Sequence, residues 1–532
     1  MGSMSGYEQH SVLALCMDLS TLLDGVPVIK LYHAEFGHMV QSQEIQVRRV
    51  QYDSRKVTHG DLFVAMRGSH LDGHRFIQEA ISAGAGAVVL EDEESMPDSL
   101  SLHTHVAKVL VGNSRRALAQ LSNNYFGHPS AKLRLIGVTG TNGKSTTTHL
   151  IKAILDMSGD RTGLIGTIEY RLGAQVEPAV HTTPESLELN EYLGRMVENG
   201  CRSAVMEVSS HALHQERVYG FRFDAAVFTN LTQDHLDYHG TMDEYFRAKR
   251  ILFEGLSENA VAVYNNDDPY GERIVQNTRA RKIAFGMQTA DVVVTSTILS
   301  ESGIKLRLRH REREFGIESP LVGAFNVENI AAAVAVGIGL GISPDSLQEG
   351  IRKVTSVRGR FERVISPAGW TAIVDYAHTP DALKRCLLAV RSLRETAAPD
   401  RRGKIITVFG CGGNRDRGKR PTMGRIATEL SDITVVTSDN PRLEDPESII
   451  DEVLVGAVRG RTVHRESDRT KAVRNALGWA RVGDYVLLAG KGHETDQILK
   501  DRRIHLDDRE IVENFIEEQR ASSHRSPKGS AT

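Results

Sequence analysis

The sequence predicts an α/β protein of three domains. A central doubly wound, P-loop ATPase-like sheet follows a smaller N-terminal α/β domain and precedes a C-terminal Rossmann-like α/β domain. Three observations carry this. Short apolar runs alternate with helix-period segments across 131–355, and again across 356–520. Each run ends in a polar, often glycine-containing cluster, as strands do when their carboxyl ends form a binding edge. The length, 532 residues, suits about three domains.

The first domain, 1–130, holds alternating apolar stretches at 47–52 and 62–66, a helix near 76–85 and a strand at 87–90. Its loops Asp53-Ser54-Arg55 and Gly68-Ser69-His70-Leu71-Asp72-Gly73 are candidate contacts. Taken alone they read as plain turns, which Asp, Ser and Gly form for backbone reasons.

The second domain, 131–355, opens on Leu135-Ile-Gly-Val-Thr-Gly-Thr-Asn-Gly-Lys-Ser-Thr146. The apolar run 133–138 reads as a buried strand. After a glycine turn, Leu150, Ile151, Ile154 and Leu155 share one helical face. Strand, glycine loop, Lys-Ser and helix describe a phosphate cradle in which backbone N–H groups face the anion, Lys144 adds a point charge and a hydroxyl reaches Mg²⁺. The glycines at 137, 140 and 143 depart from the common P-loop spelling, with Val138 six residues before Lys144. Further strands are expected at 204–208, 225–229 and 260–264, and helices at 144–157, 186–198, 243–254 and 326–340. Polar clusters fall at three strand ends: Glu207-Val-Ser-Ser-His211, Asp234-His-Leu-Asp-Tyr-His239 and Asn265-Asn-Asp-Asp268. Glu207 stands where such a sheet places a Mg²⁺ carboxylate, and His235 suits a second metal or phosphate ligand. A solvated loop is the other reading of 234–239. By residue type, Lys249 reads as a solvated helix lysine.

The third domain, 356–520, has apolar runs at 372–375, 404–409, 433–437 and 484–489. They end in Asp375-Tyr-Ala-His378, Gly410-Cys-Gly-Gly-Asn-Arg415, Ser438-Asp-Asn-Pro-Arg442 and Gly490-Lys-Gly-His-Glu494. Arginines at adjacent strand ends can clamp a carboxylate, because the guanidinium fork matches its two oxygens. Glu494 suits an amino group. The tail 521–532 is small and polar and reads as disordered.

Apolar residues make up 40% and charged residues 25%, ordinary globular values. Lys+Arg 65 against Asp+Glu 68 leaves a net charge of −3, which argues against a general nucleic-acid or membrane-surface binder. Cys16, Cys201, Cys386 and Cys411 show no paired spacing and read as free thiols of a reducing compartment. No apolar run approaches a membrane span, and 1–18 lacks the pattern of a signal peptide. The cytoplasm is the expected location. From residue types alone the chain reads as an ATP-using enzyme with an anionic substrate. A carboxylate–amine ligase fits, and so do other P-loop activities.

At Gly140-Thr-Asn-Gly-Lys-Ser145, Glu207-Val-Ser-Ser-His211, Asp234-His-Leu-Asp-Tyr-His-Gly240, Phe325-Asn-Val-Glu-Asn329, Asp375-Tyr-Ala-His-Thr-Pro380 and Ser438-Asp-Asn-Pro-Arg442, the sequence resembles the Mur ligase family. It is most like the diaminopimelate-adding members. The resemblance implies a UDP-substrate domain, an ATP-binding domain and an amino-acid domain, acting as a monomer on UDP-N-acetylmuramoyl-L-alanyl-D-glutamate, ATP and meso-diaminopimelate. It implies Tyr52, Ser54, Ser69, His70 and Leu71 at the uridine diphosphate. His181, Thr182, Thr183, Ser209, Gln215 and Arg217 would line the muramoyl-dipeptide channel. Family members usually carry Asn where this chain has His181. ATP would lie on Gly140, Thr141, Asn142, Gly143, Lys144, Ser145 and Thr146, with Asn329, Arg360 and Asp375 as further nucleotide contacts. Lys144, Glu207, His235 and Lys249 would be the catalytic set. Mg²⁺ would be held by Ser145, Glu207, His235 and a carbamate formed on Lys249 (N6-carboxylysine). The amino acid would meet Arg415, Asp439, Asn440, Pro441, Arg442, Gly490 and Glu494. Alternatives are a lysine- or ornithine-adding ligase, which Arg442 disfavours, a folate-type ligase, and a non-catalytic scaffold relative. A scaffold would be expected to lose Lys144, Glu207, His235 or Lys249, and all four are present.

Overall fold

The computed structural model describes residues 16–33, 45–68, 71–399 and 402–525. Three principal sheets follow one another along the chain. The first has five strands in the order Val28–Tyr32, Ala107–Val111, Ala87–Leu90, Leu62–Val64 and Val50–Gln51. All neighbours are parallel except Val28–Tyr32 against Ala107–Val111. The helix expected at 76–85 is a 3-10 turn, Gly73–Phe76, running into a short α-helix, Ile77–Ser82.

Eleven strands form the second sheet. Its parallel heart places Arg134–Thr139 between Ser203–Glu207 on one side and Ala225–Phe228 on the other. The chain therefore leaves Arg134–Thr139 at a switch point, where loops to either side part and leave room for a ligand. Alternate residues explain the layering. Ile136 and Val138 pack under the helices Lys144–Met157 and Phe325–Gly339, whereas Leu135 faces Leu189, Leu193 and Phe253 of the helices on the opposite face. The helix Phe325–Gly339 is apolar on nearly every side because it is buried on nearly every side.

The sheet is mixed rather than parallel throughout. Glu169–Leu172 and Gln175–Pro178 add an antiparallel edge. At the other edge Val292–Ser300, Gly303–His310 and Arg313–Ser319 form an antiparallel extension. The cause is half-burial: Ile304, Leu306 and Leu308 face the core while Lys305, Arg307 and Arg309 face water.

The third sheet has six strands in the order Glu362–Ile365, Thr371–Asp375, Tyr485–Ala489, Ile405–Phe409, Ile433–Val436 and Thr462–Arg465. All but the first pair are parallel. The turn after Val292–Ser300 props this sheet from the side: Tyr485 donates to Glu301 Oε1 at 2.7 Å and Arg363 to the Glu301 carbonyl at 2.6 Å.

The tail expectation is corrected in part. The helix Asp508–Arg525 includes the first five residues of 521–532. Once a helix is nucleated each added residue costs little, so small polar residues extend it. Residues 526–532 lie outside the described residues. Among the described residues no helix is long and apolar enough to cross a membrane. The four cysteines are free.

Candidate active site

The phosphate loop is shaped by its neighbours. Thr229 Oγ1 donates to the Asn142 carbonyl at 2.7 Å, and Asn230 Oδ1 accepts the Asn142 N–H at 2.9 Å. These residues end the strand beside Arg134–Thr139, so the fold presses them against the loop. Gly140 (φ 147°) and Gly143 (φ 85°) occupy backbone regions that side chains avoid. A Cβ on Gly140 would strike Thr229 Oγ1, and one on Gly143 would strike Asn329 Oδ1. The irregular glycine spacing is thus a matter of space as well as of φ.

Lys144 folds back over the loop, donating to the carbonyls of Gly140 and Thr141 at 2.9 and 2.8 Å. Burial holds its ammonium below the usual lysine range. Lys249 corrects the reading by residue type: its side chain is 1% exposed, not solvated. Its helix, Met242–Glu254, turns it inward, where Nζ donates to the Gly140 carbonyl at 2.9 Å and stands 4.6 Å from the Tyr245 ring. Burial, with Lys144 adding repulsion, pushes its pKa well below the ordinary value. Glu207 ends its strand 1% exposed, accepting both the N–H (2.9 Å) and the hydroxyl (3.0 Å) of Thr167. His235 adopts a left-handed backbone (φ 54°) that points its ring beside Asp234, 3.4 Å away. Partial burial lowers the His235 pKa, against the opposing pull of Asp234.

The third sheet closes the cleft. Arg360 donates to Ser145 Oγ at 3.0 Å, lies 4.6 Å from the Tyr376 ring, and has a buried Nε–H without a partner in the protein. Asp375 anchors that segment by accepting the N–H groups of Phe361 (2.6 Å) and Ala377 (2.8 Å). Burial raises its pKa, against the opposing pull of Arg360. Asp381 accepts from the Asn142 side chain at 3.1 Å, and Arg385 pairs with Glu328 at 3.4 Å.

One cleft therefore gathers the expected residues 141–146, Glu207, His235, Lys249, Asn329, Arg360 and Asp375, with Thr182 and Ser209 at its wall. Gly140 is joined to it through Lys144 and Lys249. Beside the cleft, Arg217 donates to the Thr183 carbonyl and to Gln215, both at 2.7 Å. His181 holds the loop by its carbonyl, which accepts from Tyr170 at 2.6 Å, while its ring is exposed. Tyr52 reaches across from the first sheet to Glu188 at 2.8 Å, and Ser54 bonds Glu79 at 3.3 Å. Leu71 is 62% exposed, whereas Ser69 and His70 lie outside the described residues. Among the described residues no three His, Cys, Asp or Glu side chains converge as metal ligands.

The expected amino-acid residues form a second cluster on the same edge of the third sheet, and none of them lines the cleft. Arg442 (φ 54°) donates to the Gly413 carbonyl at 2.9 Å. Burial and the neighbouring Arg415 hold its guanidinium below the usual range. Arg415 is exposed. Glu494 accepts from Lys491 (2.7 Å) and Asn440 (2.8 Å). Asp439 is buried below Gly490, its pKa raised by burial, and Pro441 is buried beside it.

Sequence reasoning missed Thr167, Tyr245, Glu328, Asp381, Arg385 and Lys491. Tyr245 and Lys249 stand four apart on one helix, and so do Asp381 and Arg385, a spacing that puts each pair on one face. No local signal marks Thr167.

Three family models match the chain: "Mur ligase family, catalytic domain" over 46–126, "Mur ligase middle domain" over 138–337 and "Mur ligase, glutamate ligase domain" over 359–492. A protein from Solibacter usitatus named UDP-N-acetylmuramoyl-L-alanyl-D-glutamate–2,6-diaminopimelate ligase is 45% identical over 477 residues, 89% of this chain and 94% of the relative. A protein of the same name from Clostridium tetani is 42% identical, over 91% of this chain and 98% of its own length. A solved structure under that name is 30% identical with a TM-score of 0.66, covering 95% of this chain and all of the other. MurF ligase from Thermotoga maritima, solved in complex with ADP, is alike in fold: 22% identity, TM-score 0.61, 90% of this chain and 99% of that one.

Proposed function

The chain belongs to the Mur ligase family, and on that premise we propose that it joins meso-diaminopimelate to the D-glutamate γ-carboxylate of UDP-N-acetylmuramoyl-L-alanyl-D-glutamate at the expense of ATP. The observation that carries the reading is the meeting of the phosphate loop with Arg360 in one cleft, Nη2 to Ser145 Oγ 3.0 Å, beside the second arginine-bearing cluster. Domain limits of 1–130, 131–355 and 356–520 suit the three sheets.

The reaction runs in two steps. A γ-carboxylate oxygen attacks the γ-phosphorus of ATP, the bond to the β-phosphate oxygen breaks, and an acyl phosphate and ADP result. The amine nitrogen of diaminopimelate then attacks the acyl carbon. The carbon–oxygen bond to phosphate breaks, phosphate leaves, and the amine proton passes to solvent. The protein contributes alignment and charge. Lys144 and the loop N–H groups hold the β- and γ-phosphates, Arg360 closes over them, and Thr182, Thr183, Ser209, Gln215 and Arg217 orient the muramoyl dipeptide. Tyr52, Ser54, Ser69, His70 and Leu71 serve the uridine diphosphate. The third sheet shields the acyl phosphate from water.

Mg²⁺ fits the donor set, because this ion keeps several waters and takes one or two carboxylates together with substrate phosphate. Ser145, Glu207 and His235 would hold it, Lys249 as a carbamate would hold a second Mg²⁺ near the transferring phosphate, and the ions would neutralise the charge there. Lys249 suits carbamate formation by its place: a buried amine beside a second cation is favoured in the neutral, CO₂-reactive form. Arg415 and Arg442 would clamp the distal carboxylate of diaminopimelate, with Asp439, Glu494 and Gly490 at its amino end. Asn440 and Pro441 shape that wall. The reaction belongs in the cytoplasm, where four free thiols stay reduced.

The test is phosphate release with the UDP-muramoyl dipeptide, ATP and Mg²⁺, offering meso-diaminopimelate, L-lysine or L-ornithine in turn. Turnover confined to meso-diaminopimelate is expected. Efficient use of L-lysine with none of diaminopimelate would refute the substrate assignment.

A further inference from the structure

Two loops carry the arginines of the second cluster, 410–415 and 438–444, and they are laced together. The Gly413 N–H donates to the Asn440 carbonyl at 2.9 Å, Arg442 to the Gly413 carbonyl at 2.9 Å, and the Leu443 N–H to Asn414 Oδ1 at 3.0 Å. Beneath them lies Arg420, fully buried on the helix Lys419–Leu430. Its Nη1 donates to Glu444 (2.9 Å) and Glu452 (2.8 Å), and its Nη2 to Glu444 (3.0 Å) and the Gly412 carbonyl (3.2 Å). Glu444 in turn accepts the backbone N–H of Asn414, the residue before Arg415. One carboxylate, two residues after Arg442, thus grips the other arginine's loop from below.

Such an arrangement is costly as a source of stability, since a buried guanidinium must be stripped of water. Its value is in register. Arg415 and Arg442 repel one another, so loops that carry them drift apart unless tied.

We propose that Glu444, seated on Arg420, is the positioning residue that fixes the spacing of Arg415 and Arg442 and so selects an amino acid with a distal carboxylate. This rests on the diaminopimelate reading above.

The experiment measures KM for meso-diaminopimelate and for ATP, kcat, and the preference over L-lysine, with melting curves alongside. The variants are Glu444→Ala, Glu444→Gln, Asn414→Gly and, for reference, Arg442→Ala. Glu444→Ala should raise KM for diaminopimelate by about tenfold or more while KM for ATP stays within about twofold. Glu444→Gln keeps the oxygen that Asn414 and Arg420 Nη2 share but sets an amide NH₂ against Arg420 Nη1, so it should give a smaller selective rise than Glu444→Ala. Asn414→Gly removes the Oδ1 tie to the Leu443 N–H but keeps the backbone N–H that Glu444 accepts, at a φ of 52° that glycine adopts freely, so KM for diaminopimelate should rise much less than in Glu444→Ala. Should Glu444→Ala fail to fold, Glu444→Gln carries the test, a selective rise in KM for diaminopimelate being expected. An equal rise in both KM values, a fall in kcat alone, or an effect of Asn414→Gly as large as that of Glu444→Ala overturns the proposal. If Arg442→Ala leaves diaminopimelate use intact, the clamp itself falls. A selective loss in Arg442→Ala with none in Glu444→Ala refutes the positioning role alone.

Discussion

Arg360→Ala separates a residue that grips the nucleotide from one that merely joins two sheets. In the free protein Arg360 makes one hydrogen bond to Ser145 and stacks on Tyr376. Together these contribute about 1–3 kcal/mol. The same side chain buries an unpaired Nε–H, which costs about 1–3 kcal/mol. The two nearly cancel, so Arg360→Ala should shift the melting temperature by less than about 4 °C. Against bound ATP the balance differs. A guanidinium that gives two hydrogen bonds to phosphate contributes about 1.5–3 kcal/mol for each, so at least about 3 kcal/mol is lost. At 1.4 kcal/mol per decade, kcat/KM for ATP should fall by about 100-fold or more. Arg360→Lys restores the charge but not the planar fork, and should fall between. Phosphate release against ATP concentration, with a melting curve for each variant, reads both quantities. A melting temperature lowered by 10 °C or so with unchanged ATP use would show Arg360 to be a structural strut.

Four further outcomes are expected. Arg442→Ala should weaken diaminopimelate use by about 2–5 kcal/mol, roughly 30-fold or more in KM, and leave ATP binding nearly unchanged; steady-state titration of each substrate measures the split. Lys249→Arg keeps a cation at the site but cannot form the carbamate, so turnover should vanish while the fold persists. Mass analysis of active wild-type protein showing an unmodified Lys249 would refute the carbamate. Gly143→Ala drives a Cβ into Asn329 at positive φ, and nucleotide titration should show a raised KM for ATP. Asp508→Asn strands Arg469, whose Nε and Nη2 reach Asp508 at 2.8 and 2.6 Å with both side chains fully buried. A loss of about 3–5 kcal/mol is expected in denaturant unfolding of the third sheet, with ATP binding to the phosphate loop retained.

Local pattern was enough for two helices of the second domain. Lys144–Met157 and Ser186–Glu198 fall where the apolar period put them, because a 3.6-residue repeat is written in neighbouring residues. The antiparallel extension is also written, in the alternation of 303–310, but it carries no glycine-rich binding edge to announce it. Lys249 shows where local reading stops. Its burial depends on the carbonyl of Gly140, 109 residues earlier in the chain, which helix period cannot report. Thr167 is similar, since what singles it out is the Glu207 carboxylate, 40 residues later. The family resemblance supplied these long-range facts for Lys249 but not for Thr167 or Arg420. The phosphate loop needed no such help, although its odd glycine spacing makes sense only once Thr229 and Asn329 are seen pressing on it.

The prop at Glu301 has a mechanical consequence. Beside the packing of Val322 and Phe325 into the third sheet's core, polar contacts join the third sheet to the second at two separated places, by Arg360, Asp381 and Arg385 at the cleft and by Tyr485 and Arg363 on the antiparallel arm. The first place involves the nucleotide loop and the second does not. If the cleft bonds loosen while the arm stays attached, the third sheet is left with a fulcrum rather than free flight. The arm is then a lever support, and its length sets how far the second arginine cluster swings for a given opening at the phosphate loop.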